Sequence, residues 1–309
     1  MKSEKYDLVI IGGGPAGLTA GLYASRARLK VLLVEKAVPG GQILVTDWIE
    51  NYPGFPEGIS GFDLSQRIAE QAGRFDLEIG TDEVRSIEVE GGIKKINLNN
   101  ETITSHALII ASGASPRKLG IPGEDQFFGK GLSTCATCDA PFYKDRVVAA
   151  IGGGDTAVQE SIYLTKFARK VYLIHRRDEL RATKILQERA LANEKIEFLW
   201  DTIPTGVSGL FNVDTVSLKN VKTNEARDLK VDGCFVWVGI LPNTGFLNNS
   251  VTVDDSGFIV TDMKMETSVP GIFAVGDVRD TPLRQIASAV GDAAIAAFSA
   301  GHYVENLSK

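Results

Sequence analysis

Cys135 and Cys138 are separated by Ala136 and Thr137 and followed at once by Asp139. Two thiols at that spacing can close a small disulfide ring, and the thiolate is the species that attacks or opens one. The adjacent carboxyl can hold or deliver a proton as the ring opens. Half of a zinc site is the rival chemistry, but structural zinc takes four ligands. The one other cysteine, Cys234, has no partner nearby in sequence, and the histidines, His106, His175 and His302, are scattered. The pattern favours a redox dithiol and no metal. Cys234 reads as a small buried hydrophobe, His106 as structural, and His302 as peripheral near the end of the chain.

The dithiol lies between two copies of one pattern. Asp7–Gly17 is an apolar run into Gly12-x-Gly14-x-x-Gly17, then a helix, expected over 18–27. The first glycine permits a tight turn, the second lets the backbone approach a pyrophosphate, and the third lets helix pack on strand. The helix N-terminus supplies free N–H groups to phosphate. The next strand, 30–35, ends at Glu35, whose carboxylate can accept from both ribose hydroxyls and repels a 2'-phosphate. That favours FAD or NAD over NADP.

Val147–Ala157 repeats the arrangement as Gly152-x-Gly154-x-x-Ala157, and the interval from Gly12 to Glu35 equals that from Gly152 to His175. Where the first copy has its acid, the second has His175-Arg176-Arg177, with Arg181 one helical turn beyond Arg177. Arginine's planar fork suits phosphate, the solution to a phosphorylated ribose. The first copy reads as FAD-binding and the second as NADPH-binding. Two dinucleotides with a dithiol between them imply electron transfer.

Other elements must position these parts. Residues 37–62, rich in Gly and Pro, form a long irregular loop suited to wrapping a cofactor. An amphipathic helix follows over 62–73, then an antiparallel meander over 83–104 turning at Gly91-Gly92, and a buried strand over 106–113. The second copy adds a strand at 195–199, a meander over 207–230 and a strand at 234–239. Gly271–Asp277 is a strand ending at an acid placed for a cofactor hydroxyl, and a small-residue helix is expected over 287–300.

At 309 residues, two domains are the expectation. A hydrophobic content of 44% with 23% charged residues is that of an ordinary globular protein. The net charge of −6, with no basic run, argues against nucleic acid. Neither a signal-peptide core nor an apolar stretch of membrane-spanning length is present. Cytosolic disulfides are usually catalytic, so a cytoplasmic location is expected.

Taken together, Gly12–Gly17, Pro39–Gln42, Cys135–Asp139, Gly152–Ala157, His175–Arg181 and Gly276–Gln285 resemble the low-molecular-weight, bacterial-type thioredoxin reductase family, in the right order and over essentially the whole chain. The resemblance implies an α/β fold of two Rossmann-like domains of the three-layer ββα type. An NADPH domain, 118–244, would be inserted into a split FAD domain, 1–117 and 245–309, with a homodimer built on the FAD domains. Cys138 would face the flavin, Cys135 would attack the disulfide of thioredoxin, and Asp139 would be the acid/base. FAD contacts are implied at Gly12, Gly14, Pro15, Ala16, Glu35, Lys36, Gly41, Gln42, Asn51, Val84, Gly113, Asp277, Arg284, Gln285 and Ile286. NADPH contacts are implied at Gly154, Asp155, Thr156, His175, Arg176, Arg177 and Arg181. Two positions depart from the family pattern: Ala140-Pro141 follows the dithiol where glycine is common, and Asp155 stands where Asn or Ser is frequent. They bear on partner fit and coenzyme affinity.

One dithiol cannot meet a flavin and a protein partner in a single position, so a domain rotation is expected, hinged near Ser115–Lys118 and Gly239–Asn243. Two alternatives stand beside this reading: a dithiol flavoenzyme fed by ferredoxin or coupled to oxygen, and an NADPH-sensing binding protein. Relatives of the first kind are expected to lack the second glycine signature and its arginines. An intact Cys-x-x-Cys-Asp opposes the second.

Overall fold

The computed structural model describes residues 5–46, 49 and 51–307, excepting the side chains of Val45, Thr137 and Cys138. The chain divides into two compact units, Met1–Ser115 with Leu241–Lys309, and Pro116–Ile240. Both crossings fall a few residues before the expected boundaries.

The first unit begins with β1 (Lys5–Ile11), α1 (Pro15–Arg26) and β2 (Val31–Glu35). A 3-10 turn (Gly41–Val45) is the one helical piece in the long loop before α2 (Gly61–Gly73). The Ser60 hydroxyl caps α2 by accepting from the Asp63 N–H at 3.0 Å. Then come β3 (Glu78–Thr81), β4 (Ser86–Glu90), β5 (Ile93–Asn97), β6 (Thr102–Ile110) and β7 (Ala114–Pro116). The sheet order is β3-β2-β1-β6-β5-β4. Strands β3 to β6 along that order are parallel, and β5 and β4 extend it antiparallel. The β4–β5 turn uses Gly91 and Gly92 at φ 57° and 82°, as a primed hairpin turn requires.

Alternation within β1 explains its continuous apolar run. Leu8 and Ile10 enter the core beneath α1 and α2, whereas Val9 and Ile11 enter the core on the opposite face. A strand covered on both faces leaves no polar register.

The second unit opens with α3 (Glu124–Phe127), β8 (Leu132–Ser133), α4 (Ala136–Asp139), β9 (Val147–Gly152), α5 (Asp155–Leu164), β10 (Lys170–Ile174) and α6 (Lys184–Leu191). It continues through β11 (Ile196–Leu199), β12 (Thr202–Ser208), β13 (Thr215–Asn220), β14 (Ala226–Lys230) and β15 (Gly233–Trp237). A parallel sheet, β11-β10-β9-β15-β8, has the helices' core on one face. The core shared with the antiparallel sheet β12-β13-β14 lies on the other. That is the expected three-layer ββα arrangement. In the first unit, by contrast, the meander is continuous with the main sheet.

The chain returns through β16 (Ile240–Pro242), which pairs with β7, so the two crossings run side by side. It then adds β17 (Ile272–Ala274) parallel to β6 and ends in α7 (Ile286–Leu307). That helix runs well past the 287–300 read from the sequence. Five of its seven alanines, Ala289, Ala293, Ala296, Ala297 and Ala300, are buried and allow α7 to approach closely. Among the described residues no helix is long and apolar enough to cross a membrane.

Candidate functional site

The first glycine turn is crowded inside and open outside. Gly12 sits at φ 104°, and a Cβ there would stand 2.4 Å from the Ala111 carbonyl oxygen. A Cβ on Gly17 would stand 1.8 Å from the oxygen of Gly12. Gly14 has nothing nearer than Gly41 Cα at 3.9 Å. Its freedom from steric crowding leaves a cradle on the outer lip that a side chain would fill. Pro15 opens α1 just beyond, with Ala16 buried behind it and no acid in the first turn. Unpaired first-turn amides and the helix dipole suit that lip to a pyrophosphate.

Glu35 is fixed at the same turn. Its Oε2 accepts the Gly13 N–H at 2.6 Å and its Oε1 accepts the Ala37 N–H at 3.0 Å. Each carboxylate oxygen keeps further acceptor capacity.

Distant stretches of the first unit converge here. The Gly40 N–H donates to the Gly13 oxygen at 2.7 Å, drawing Gly41 and Gln42 against the turn. Gln42 Nε2 donates to the Ala114 carbonyl at 3.3 Å, and Asn51 Nδ2 donates to Gln285 Oε1 at 2.8 Å. Burial holds the Asp277 carboxyl above its ordinary range, with Arg284 opposing and Asp292 reinforcing. The Arg284 guanidinium lies over the Phe258 ring, 4.1 Å from its centre. Its buried Nε has no partner. An orphaned donor together with an open glycine lip fits a bound dinucleotide, since buried donors are otherwise satisfied. Lys36 is exposed, Val84 packs against the meander-side core, Gly113 sits at φ 66°, and Ile286 packs on the helix-side core.

The second turn repeats this plan with different neighbours. A Cβ on Gly152 would meet the Trp237 oxygen at 2.4 Å, and one on Gly154 would meet nothing within 4 Å. The His175 ring occupies the place across the turn that Glu35 occupies in the first copy. A Cβ on Gly153 would be 2.3 Å from it. His175 is buried with an unpartnered Nε2. Its pKa is lowered by burial and then by Arg181 and Arg176, with backbone groups of Gly152 and Glu179 opposing. Burial and the neighbouring guanidiniums thus favour the uncharged form of the ring that backs the turn. Thr156, Arg176, Arg177 and Arg181 are exposed around it, presenting three guanidiniums at the strand's carboxyl end.

The dithiol segment leaves the same sheet two strands away, beyond β15, which at strand spacing is about 10 Å. Ala136 and Ala140 are buried in the helix-side core and anchor α4. Cys135 is disulfide-bonded, not a free thiolate; the side chain of Cys138 lies outside the described residues. The Ser133 hydroxyl oxygen accepts from the Cys135 N–H at 3.0 Å. Asp139 closes α4 with its N–H donated to the Cys135 oxygen at 3.3 Å.

Trp237 was not singled out by sequence, yet it touches both features. Its indole N–H donates to the Thr134 carbonyl at 3.0 Å, while its own carbonyl backs Gly152. Only its position at the end of a strand beside the glycine turn could have signalled this. Glu160 on α5 was also missed: burial alone pushes its carboxyl up to about 7. Cys234 is fully buried on the meander side, and burial raises its thiol pKa strongly.

The family model described as pyridine nucleotide-disulphide oxidoreductase matches residues 6–293. Thioredoxin reductase of Bacillus subtilis (strain 168) is 45% identical over 309 residues, covering 99% of this chain and 98% of that protein. Thioredoxin reductase of Listeria monocytogenes is 46% identical over 311 residues, covering 99% and 97% respectively. The crystal structure of Lactococcus lactis thioredoxin reductase in its FR conformation superposes with a TM-score of 0.92. It shares 46% identity over 97% of this chain and 99% of that one.

Proposed function

The chain belongs to the pyridine nucleotide-disulphide oxidoreductase family, and from that membership we propose how its residues move electrons from NADPH, through FAD, to the disulfide of thioredoxin. Thioredoxin reduction is the activity of the matched proteins at 44–46% identity, and this chain is a thioredoxin-disulfide reductase. The observation that carries the residue assignment is the pair of opposed turns, Glu35 bound across one and His175 with its arginines across the other.

We assign the FAD site to the first unit and the NADPH site to the second. Glu35, Gln42, Asn51, Asp277, Arg284 and Gln285 would hold FAD with the Gly12–Ala16 turn. Arg176, Arg177 and Arg181 would take the 2'-phosphate of NADPH on the Gly154–Thr156 turn. Bound FAD supplies hydride acceptance from NADPH and return of the electron pair to a disulfide. The chain's own residues do the rest. Cys138 is the sulfur that meets the flavin, and the Cys135 thiolate attacks the disulfide of thioredoxin. A mixed disulfide forms and one thioredoxin thiolate leaves; Cys138 then attacks Cys135, re-forming the internal disulfide and releasing the second thiolate. Asp139 holds and returns the proton.

A single dithiol must serve a flavin and a protein in turn. We therefore place a hinge at Ser115–Lys118 and Gly239–Asn243. Gly239, at φ 114° with open space around it, supports this position. A homodimer through the first unit is supported by exposed Phe62, Ile295 and Phe298, the last two on α7. A cytoplasmic location follows from the need to regenerate a dithiol where thiols stay reduced.

The test is anaerobic mixing of the yellow protein with one equivalent of NADPH. Flavin bleaching followed by reduction of an added bacterial thioredoxin is expected. Bleaching only with reduced ferredoxin would favour the ferredoxin-fed alternative, and bleaching without transfer to any disulfide would favour a sensor. Sedimentation of the purified protein checks the dimer.

A further inference from the structure

We propose that Asp155 is a positioning residue for coenzyme discrimination, holding the Arg181-bearing loop against the second glycine turn. The proposal rests on the reading of Arg176, Arg177 and Arg181 as a clamp for the 2'-phosphate.

The loop between β10 and α6 has no secondary structure of its own to aim Arg181. It is fastened instead at successive residues. Leu180 and Ala182 are buried and Arg181, between them, is exposed. The Arg181 and Ala182 N–H groups both donate to the Gly153 oxygen, at 2.7 and 3.2 Å. The next amide, that of Thr183, donates to Asp155 Oδ1 at 2.6 Å. On the far side Gln187 Nε2 donates to the Leu180 and Ala182 oxygens at 3.2 and 2.7 Å. Thr183 starts α6 without capping it through its own side chain.

Asp155 therefore supplies the side-chain anchor between the glycine turn and the loop's exit, two residues from the guanidinium. A charged acceptor at 2.6 Å is a strong hydrogen bond by type, but its exposure to water moderates it. A carboxylate in the first turn of α5 also favours the helix dipole, and it repels the pyrophosphate of either coenzyme alike. Only the anchoring role distinguishes the phosphorylated coenzyme from the plain one. Asn keeps the acceptor and drops the charge; Ala drops both.

The experiment measures KM for NADPH and NADH with a bacterial thioredoxin for the unaltered protein, Asp155→Asn, Asp155→Ala and Arg181→Ala, with thermal melts of each. Asp155→Ala should lower the NADPH-over-NADH preference about five- to tenfold through the NADPH KM, with kcat held. Asp155→Asn should keep the preference within about twofold, because its side-chain oxygen still accepts from Thr183. Equal preferences in the two Asp155 variants, or equal rises in both coenzyme KM values, would reduce Asp155 to a helix-dipole residue and overturn the proposal. The Arg181→Ala control separates the premises. A preference lost there but kept in Asp155→Ala defeats the positioning role alone, and a preference kept in both defeats the clamp and the proposal with it.

Discussion

Glu35 Oε2 accepts the backbone N–H of Gly13 at 2.6 Å, so the acid that ends β2 is bonded to the middle glycine of its own nucleotide turn. His175 takes the same place against Gly153 in the second copy. Spacing in the sequence is thus a spatial relation in both units. In the proposed function Glu35 would both receive a ribose and brace the loop that would hold a pyrophosphate, and the bracing is its bond to Gly13. Glu35→Ala removes acceptors from the Gly13 and Ala37 amides. Retention of FAD should weaken roughly tenfold, on the scale of one or two hydrogen bonds, read as the 450 nm to 280 nm absorbance ratio after dialysis. An unchanged ratio would show that Glu35 does neither job.

Gly12 and Gly14 should separate stability from binding. Gly12→Ala places a Cβ 2.4 Å from a backbone oxygen at φ 104°, costing about 2–4 kcal/mol in urea unfolding. Gly14→Ala meets nothing nearer than 3.9 Å, so the apoprotein should unfold at the usual urea concentration while FAD binding is lost. Equal unfolding midpoints for the two variants would contradict the crowding.

Cys138→Ser should leave flavin bleaching by NADPH intact and abolish turnover of thioredoxin. Thioredoxin turnover persisting above background would show the assigned sulfur roles to be wrong.

Trp237→Phe keeps an aromatic ring at the end of β15 but removes the donor to the Thr134 oxygen. Turnover of thioredoxin should fall about two- to tenfold, as expected for one hydrogen bond, with flavin reduction by NADPH at its normal rate. Both half-reactions falling together would mean that the ring matters only for packing.

Glu160 gives a pH signature. Burial raises its carboxyl from 4.5 to about 7 in the folded protein, so the folded state holds a proton that the unfolded chain has released. The stability this brings is complete below about 4.5 and is lost as pH rises through about 7. Glu160→Gln cannot lose that proton. Its urea midpoint, relative to the parent, should climb between those pH values and level off above them; a constant offset would exclude the titration.

The glycine turns were legible because their constraints are local: a tight turn, a close helix and a charged strand end each demand a residue type at a fixed interval. The inner strands were legible because burial on both faces erases polarity, and Gly91-Gly92 because its turn needs two positive φ values. The N-terminus of α1 and the end of α7 were placed less well. Pro15 suits a first helical position that the glycine run obscures, and the last turns of α7 carry His302 and Glu305 outside its alanine face. Trp237 and the Asp155–Thr183 bond are contacts between distant segments, and no local pattern encodes them. The Asn51–Gln285 bond joins two residues assigned from resemblance to one cofactor.

The two turns are not interchangeable parts. Ala157 carries a methyl group that the second unit accommodates, whereas the corresponding Gly17 has a carbonyl oxygen 1.8 Å from where that methyl would sit. Gly17→Ala in the first unit would jam its own turn against the Gly12 oxygen. The reverse change, Ala157→Gly, would seat, at the cost of about 1 kcal/mol for a glycine inside α5. The two halves share one plan, yet a methyl that one carries at this position has no room in the other.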